Sequence, residues 1–270
     1  MENVLIDLKD HCFYHIGGRT RAYFVKNIDD VASVYSQNIS VAGLGSKILF
    51  GDIDRVAIMR LKEIRFSGNR VYAQAGVSLP HLSHLCRLHG LSGLEWACGI
   101  PGSVGGAVKM NAGAFGGCIK DCIEDVTVFD GKVRTVAKEN LSMGYRTGAK
   151  DCIVIGCTFN CFYDDKDKIF EKMKFFAAAR RSRQPQGYSC GSVFVSAEKP
   201  AGWYIDNAAL KGLRAGGAVI SSKHANFFLN DGNATAADVR RLIRIAKEKV
   251  YYKFGVELKE EIIYLGEFSE

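Results

Sequence analysis

Seven of the nineteen residues in "GIPGSVGGAVKMNAGAFGG" (99–117) are glycine, and a proline stands third. No other stretch constrains the fold as strongly. A run nearly free of bulky side chains adds little to a core, but it suits a place where backbone must come close to something, because glycine reaches φ > 0 at little cost. A second glycine turn, "VAGLGSKILFGD" (41–52), follows an apolar entry, and its successive N–H groups suit an anion-binding nest. Neither stretch fits a nucleotide fingerprint. Pro101 breaks the Gly-x-Gly-x-x-Gly pattern and no helix pattern follows it, while "GGAVK" lacks the Gly-Lys-Ser or Gly-Lys-Thr of a P-loop. Each cluster alone reads as an ordinary turn. Two of them suggest a large phosphate-bearing cofactor lying between.

The chain of 270 residues is long enough for two modest domains, and its 47% hydrophobic content supports a sizeable core. No run approaches the roughly 20 apolar residues that cross a bilayer, and the N-terminus lacks a secretory pattern. Nine scattered cysteines read as reduced thiols in a cytoplasmic protein, not as a disulfide framework. The spacings of Cys152, Cys157 and Cys161, and of Cys118 and Cys122, fit no common zinc motif, so no metal site is expected. The net charge of +7 allows a polyanionic partner. Aromatic residues do not interleave with the basic ones as single-strand binding requires, so a phosphorylated small molecule is the better match than nucleic acid.

Hydrophobic period and punctuation place the elements. "VYAQAG" (71–76) reads as a strand, and "SLPHLSHLCRLHG" (78–90) as a helix capped by Ser78 and ended by Gly90. "VTVFDGKVRTV" (126–136) reads as a hairpin around Asp130 and Gly131, and "CIVIGCTFNCFY" (152–163) as a long strand. A helix over "DKIFEKMKFFAAARRSR" closes before Gln184-Pro185, and this break sets expected domains of 1–183 and 184–270. In "TAADVRRLIRIAKEKVYYKFG", Thr235 and Asp238 are spaced as a capping box, and Val239, Leu242, Ile243, Ala246 and Val250 keep helical period up to Gly255. Arg240, Arg241, Arg244 and Lys247 fall off that stripe, as a solvated face. A final strand, "EIIYLGE", closes the chain. Strands and helices mix without strict βαβ alternation, so the expected class is α+β.

Three polar stretches carry chemistry-bearing residues: Arg146 in "YRTG", Ser192 in "YSCGSVF", and paired carboxylates in "LKEEIIYLG". Taken singly, each reads as surface or turn chemistry. Read in order, "GLEWACGIPGSVGGAVKMNAGAFG", "GYRTG", "CGSVF", "LKGLRAGGAVISSKHANFFLNDGNATAADV" and "GVELKEEIIYLG" resemble the UDP-N-acetylenolpyruvoylglucosamine reductase family of bacterial peptidoglycan precursor synthesis. The likeness runs from about Ile16 to Gly266.

The resemblance implies an N-terminal FAD-binding region of the vanillyl-alcohol-oxidase type and a smaller α+β C-terminal substrate domain. FAD would lie along Gly43, Leu44, Gly45 and Ser46 of the first turn. On the longer stretch it would meet Gly99, Ile100, Pro101, Gly102, Ser103, Gly105, Gly106, Ala107, Asn111 and Gly113, whose backbone N–H groups would reach phosphate and flavin oxygens. NADPH would reduce the flavin and leave, and the enolpyruvyl sugar nucleotide would then accept hydride at C3. The resemblance makes Ser192 the donor of a proton to C2 and sets Arg146 near the substrate carboxylate. It makes Glu261, preferred over Glu260, the family's glutamate, suited to donate a hydrogen bond if burial keeps it protonated. The family places a proline at Glu260, an asparagine at Lys47, a serine at Gly148, and lysine, asparagine and proline at Val195, Ser196 and Ala197. The missing lysine removes a cation expected near the substrate, with Lys109 and Arg183 as possible replacements. The span from Gly191 to His224 leaves no room for the tyrosine-bearing loop of the longer class, so the likeness is to the shorter, here in a divergent form. A monomer acting on small molecules follows. The alternatives are an oxidase of sugars or alcohols on the same FAD scaffold, and a basic nucleic-acid-binding module without flavin.

Overall fold

The structure is a computed structural model that describes residues 2–268, so the outermost residues of the two expected domains lie outside the described ones. Its contacts divide the chain into two units. The first comprises Met1–Val4, Ala22–Leu44 and Arg55–Arg180; the second comprises Leu5–Arg21, Gly45–Asp54 and Arg181–Glu270. The division at Arg180 lies three residues before the expected cut at 183. Two early segments nonetheless belong with the C-terminal residues: Gly45–Asp54 carries Ile48–Phe50, which pairs with Ile263–Leu265, and Leu5–Arg21 carries Tyr14 and His15, whose carbonyls accept from Asn230. Chain order alone does not reveal such an exchange.

The first unit is built on an antiparallel sheet ordered Val133–Ala137, Ile123–Phe129, Ile153–Asn160, Arg70–Gln74, Ile64–Ser67. The expected hairpin forms, with Phe129 opposite Val133 and Gly131 at φ 106° in the connection. Ile153–Asn160 is the central strand, and its Val154, Ile155, Cys157 and Phe159 are all buried. Against this sheet pack Leu79, Leu82 and Cys86 of the Leu79–Leu88 helix, and Val104 and Val108 of a second helix, Val104–Met110. Burial of aliphatic side chains at roughly 1.5–3 kcal/mol each is what holds these helices down.

Two local expectations are corrected. Ser78 stands at the N-cap of the first helix, but its side chain makes no cap hydrogen bond; Pro80 in the first turn supplies the fixed φ instead. The Val104–Met110 helix occupies the stretch expected to have none, opened by Ser103, whose side chain accepts from Gly106 N. Two glycines in its first turn make it a poor helix in isolation, so packing supports it. A Cβ at Gly105 would sit 2.7 Å from the Ala75 Cβ, so glycine there lets the helix lie directly on the sheet region.

In the second unit, Arg214–Ala215, Ala218–Ile220 and Phe228–Asn230 form an antiparallel sheet. The Ala236–Phe254 helix contacts its first two strands and buries the expected stripe Val239, Leu242, Ile243, Ala246 and Val250. Its capping box, Thr235 with Asp238, and its left-handed stop at Gly255 are as expected. Off the stripe, Arg241, Arg244 and Lys247 are exposed as expected, Lys247 pairing with Glu260 at 2.8 Å, while Arg240 is half-buried with its guanidinium 5.4 Å from the Phe268 ring centroid. Buried Asn230 ties the sheet to the early segment, donating to the carbonyls of Tyr14 and His15 and accepting from the amides of Gly232 and Ala234. Strand Ile48–Phe50 pairs in parallel with Ile263–Leu265.

Candidate active site

The second unit brings Ser192 and Glu261 together. Gly191, at φ 73°, turns the chain so that Ser192 bridges to Phe227. The residues that follow are locked: Val193 N donates to Asn226 O at 2.8 Å, and the buried Asn226 side chain bonds both the amide and the carbonyl of Phe194. Glu261 N donates to Val193 O at 2.7 Å, which sets the glutamate beside the serine segment. Adjacent Cys190 is fully enclosed, and burial pushes its thiol up to about 12, so it stays protonated at neutral pH and does not compete as a nucleophile.

The two neighbouring glutamates face different groups. Glu260 pairs with Lys247 and accepts from the Tyr264 hydroxyl. The Glu261 side chain, only 5% exposed, pairs with Lys47 at 3.0 Å. Lys47 Nζ also donates to Ser192 O at 2.6 Å. The cation that the resemblance placed at Val195 is therefore absent there, and another stands beside Ser192, from a segment 145 residues earlier. Lys109 is engaged elsewhere, donating to Cys152 O at 3.1 Å.

Arg146 belongs to the first unit. It occupies a left-handed conformation, φ 56°, in a two-residue turn closed by reciprocal bonds between Gly144 and Thr147. Such backbone strain in a non-glycine residue persists where the surroundings over-determine it. Here Asn111 Nδ2 donates to Gly144 O at 2.8 Å, and Arg146 Nη2 donates to Gly113 O at 3.3 Å. Asn111 and Gly113, expected along the cofactor, thus also brace the arginine. Gly148 passes directly under the Val104–Met110 helix: a Cβ there would collide with Val108 O.

The glycine-rich stretch divides into two kinds of position. Gly105, Gly113 and Gly117 are filled by protein: a Cβ would lie 2.7 Å from Ala75, 2.7 Å from Gly117 O and 2.5 Å from Trp96, respectively. The amides of Ile100, Gly105 and Ala107 donate to the Ala97, Ala75 and Ser103 carbonyls. Gly106 and Gly116 remain open, the first meeting only Ser103 Oγ at 3.5 Å and the second nothing within 4 Å. Gly102, at φ 139°, has a conformation only glycine takes easily. Gly43 packs onto Ser103, so the first glycine turn meets the second stretch within this unit, whereas Gly45, Ser46 and Lys47 belong to the other. Sequence reasoning missed Arg180, which lies against Gly99 and whose burial lowers its pKa from the ordinary value. A bare backbone ledge with a desolvated cation beside it fits a dinucleotide.

Residues 23–156 match the family described as FAD binding domain, and residues 184–265 match UDP-N-acetylenolpyruvoylglucosamine reductase, C-terminal domain. The UDP-N-acetylenolpyruvoylglucosamine reductase of Exiguobacterium sibiricum is 36% identical, over 98% of this chain and 94% of the relative. That of Lactobacillus delbrueckii subsp. bulgaricus is 42% identical over 85% of this chain and 81% of the relative. The crystal structure of the Thermus caldophilus UDP-N-acetylenolpyruvylglucosamine reductase superposes with a TM-score of 0.87 at 33% identity, covering 98% of this chain and all of that one.

Proposed function

The chain belongs to the UDP-N-acetylenolpyruvoylglucosamine reductase family, and from that premise we propose that it reduces the enolpyruvyl ether of UDP-N-acetylglucosamine to UDP-N-acetylmuramate, with FAD as cofactor and NADPH as reductant. The fold is α+β with an N-terminal FAD-binding region of the vanillyl-alcohol-oxidase type, and the match of residues 184–265 to the reductase C-terminal domain supports this reading over an oxidase on the same scaffold. The observation that carries the site assignment is the pairing of buried Glu261 with Lys47 beside Ser192.

When bound, FAD supplies a hydride carrier between the nicotinamide and the enol ether. The chain's own residues handle charge and protons. Gly106 and Gly116 leave backbone bare on the side a cofactor would approach, and Arg180 offers a desolvated cation beside Gly99. Arg146 is a fixed positive charge for the substrate carboxylate as negative charge builds at C2, a preorganised contribution of several kcal/mol. The Ser192 hydroxyl gives its proton to C2; a hydroxyl is a weak acid, so it serves only a strongly basic carbon in fixed geometry, and the bracketing bonds of Val193, Phe194 and Glu261 supply that fixity. Glu261 stands paired with the Lys47 ammonium beside the serine segment, where it would act on the charge that builds in the substrate. A monomer in the cytoplasm, acting without nucleic acid or membrane, completes the proposal; the nine free thiols fit a reducing compartment, and no helix among the described residues is long and apolar enough to cross a membrane.

The test is flavin absorbance in two steps. Addition of NADPH alone bleaches the FAD-loaded protein, and the enolpyruvyl sugar nucleotide then restores the yellow colour without oxygen. Restoration by air alone, with no response to the sugar nucleotide, would establish the oxidase instead.

A further inference from the structure

We propose that Lys47 is a positioning residue for proton delivery: its ammonium clamps the Ser192 carbonyl and the Glu261 carboxylate into one fixed constellation. The proposal rests on the roles given above to Ser192 and Glu261. Nothing in the glycine turn "GLGSK" requires a lysine, since the backbone and not the side chain of such a turn approaches a cofactor. The side chain instead leaves the turn and reaches two groups at once, Ser192 O at 2.6 Å and Glu261 Oε1 at 3.0 Å.

The backbone of Lys47 is held from the same side. Its carbonyl accepts from Ile263 N at 2.9 Å, two residues past Glu261, where Ile48 begins the parallel pairing with Ile263. Glu261 N is in turn bonded to Val193 O, the residue after the serine. Three segments distant in sequence therefore close a ring: the turn to Ile263, Glu261 to Val193, and the ammonium across the middle. Gly191 fits this crossing, since a Cβ there would stand 3.7 Å from Nζ in a backbone conformation, φ 73°, that side chains rarely take.

Charge makes the crossing consequential. Glu261 is 5% exposed and Lys47 22%, so the pair is poorly screened and each group determines where the other sits. Removal of the ammonium leaves a buried carboxylate without that partner and frees the carbonyl of the residue assigned to donate the proton. A displacement of about 1 Å in such a group lowers rate on the order of 10²-fold. The effect falls on the step that uses Ser192, not on hydride transfer from NADPH.

Stopped-flow absorbance separates the two steps in the FAD-loaded protein. Lys47→Met is expected to keep its flavin and to bleach with NADPH within about 3-fold of the parent, while reoxidation by the enolpyruvyl sugar nucleotide slows about 10²-fold. Lys47→Arg, which keeps a fixed cation, is expected to recover at least about 10-fold of that loss. Because Lys47→Met leaves Glu261 without its ammonium, a Lys47→Met/Glu261→Gln protein provides a chain free of the unbalanced charge. Its reoxidation is expected to be no slower than that of the slower single variant, since groups acting as one unit are not additive. Reoxidation of Lys47→Met at the parent rate overturns the proposal. So does an equal fall in both steps accompanied by flavin loss, which would make Lys47 part of the cofactor turn alone, and so does a multiplicative double variant. Failure of the parent protein to bleach and recover would instead defeat the functional reading itself, whatever Lys47 does.

Discussion

The glycine-rich stretch of the first unit and the serine–glutamate–lysine cluster of the second do their work in opposite ways. In the stretch, function depends on side chains that are absent. Gly105, Gly113 and Gly117 are pressed against protein whereas Gly106 and Gly116 face open space, so one composition serves two purposes. In the cluster, the proposed proton delivery depends on one ammonium, Lys47, at hydrogen-bond distance from the Glu261 carboxylate and the Ser192 carbonyl, with backbone bonds from three segments holding all three residues. The first arrangement is local in sequence and tolerant in detail; the second is distributed and exacting. Binding a large cofactor draws on many weak backbone approaches, whereas moving one proton draws on a few atoms placed to within about half an ångström.

The largest break in that comparison is expected from Ser192→Ala. A local cluster of side chains loses its only assigned proton donor, so reoxidation by the sugar nucleotide should fall by about 10²–10⁴-fold, the usual span for acid–base groups. Bleaching by NADPH should persist, because that step involves no proton from Ser192. Parent-like turnover of the alanine protein would remove the serine from the mechanism.

The glycine stretch should break differently at its two kinds of position. Gly105→Val presses extra carbon atoms into Ala75, where even a Cβ would stand at 2.7 Å, and is expected to cost about 1–3 kcal/mol of stability, read as a lower melting temperature. Gly106→Ala adds a methyl group over open space one residue later. In a helix that exchange is neutral or favourable by up to about 1 kcal/mol, so the fold should hold or gain. FAD retention should nevertheless weaken, by about tenfold for a lost close approach equivalent to 1.4 kcal/mol. Equal melting temperatures with equal FAD affinity in both proteins would mean that the two kinds of glycine do not differ.

What the sequence made legible follows the same division. The hairpin at Asp130–Gly131, the capping box of Thr235 and Asp238, and the stop at Gly255 are all written in adjacent residues, and each is present. The Val104–Met110 helix was not legible, because propensity argues against it and the sheet beneath it decides. Family motifs made Ser192, Arg146 and Glu261 candidates, but the preference for Glu261 over Glu260 gains its physical basis only from their different neighbours, Lys47 for one and Lys247 for the other. Lys47 itself looked like a departure in a turn. A contact across 145 residues leaves no periodic trace; the parallel pairing of Ile48–Phe50 with Ile263–Leu265 and the bond of Glu261 N to Val193 O bring it about.

The smallest expected effect separates fold from chemistry in the second unit. His224 lies in "KHANFF", one of the stretches that carry the family resemblance; its Nδ1 accepts from Asn226 N at 3.3 Å, and its ring meets Phe227 edge-on at 4.9 Å. Burial, aided by the like charge of Lys211, holds its pKa below the ordinary 6.5. The folded protein therefore binds this proton less readily than the unfolded chain does. Stability is then complete above pH 6.5 and declines as pH falls below it, because the unfolded state takes up the proton first. The melting temperature should drop by no more than about 3 °C from this group between pH 7.5 and 5.5, since one kcal/mol moves a chain of this size by roughly 2–4 °C. His224→Gln keeps an acceptor for Asn226 N and should flatten that slope while sparing the two half-reactions. A slope unchanged in the glutamine protein would assign the acid sensitivity to other groups.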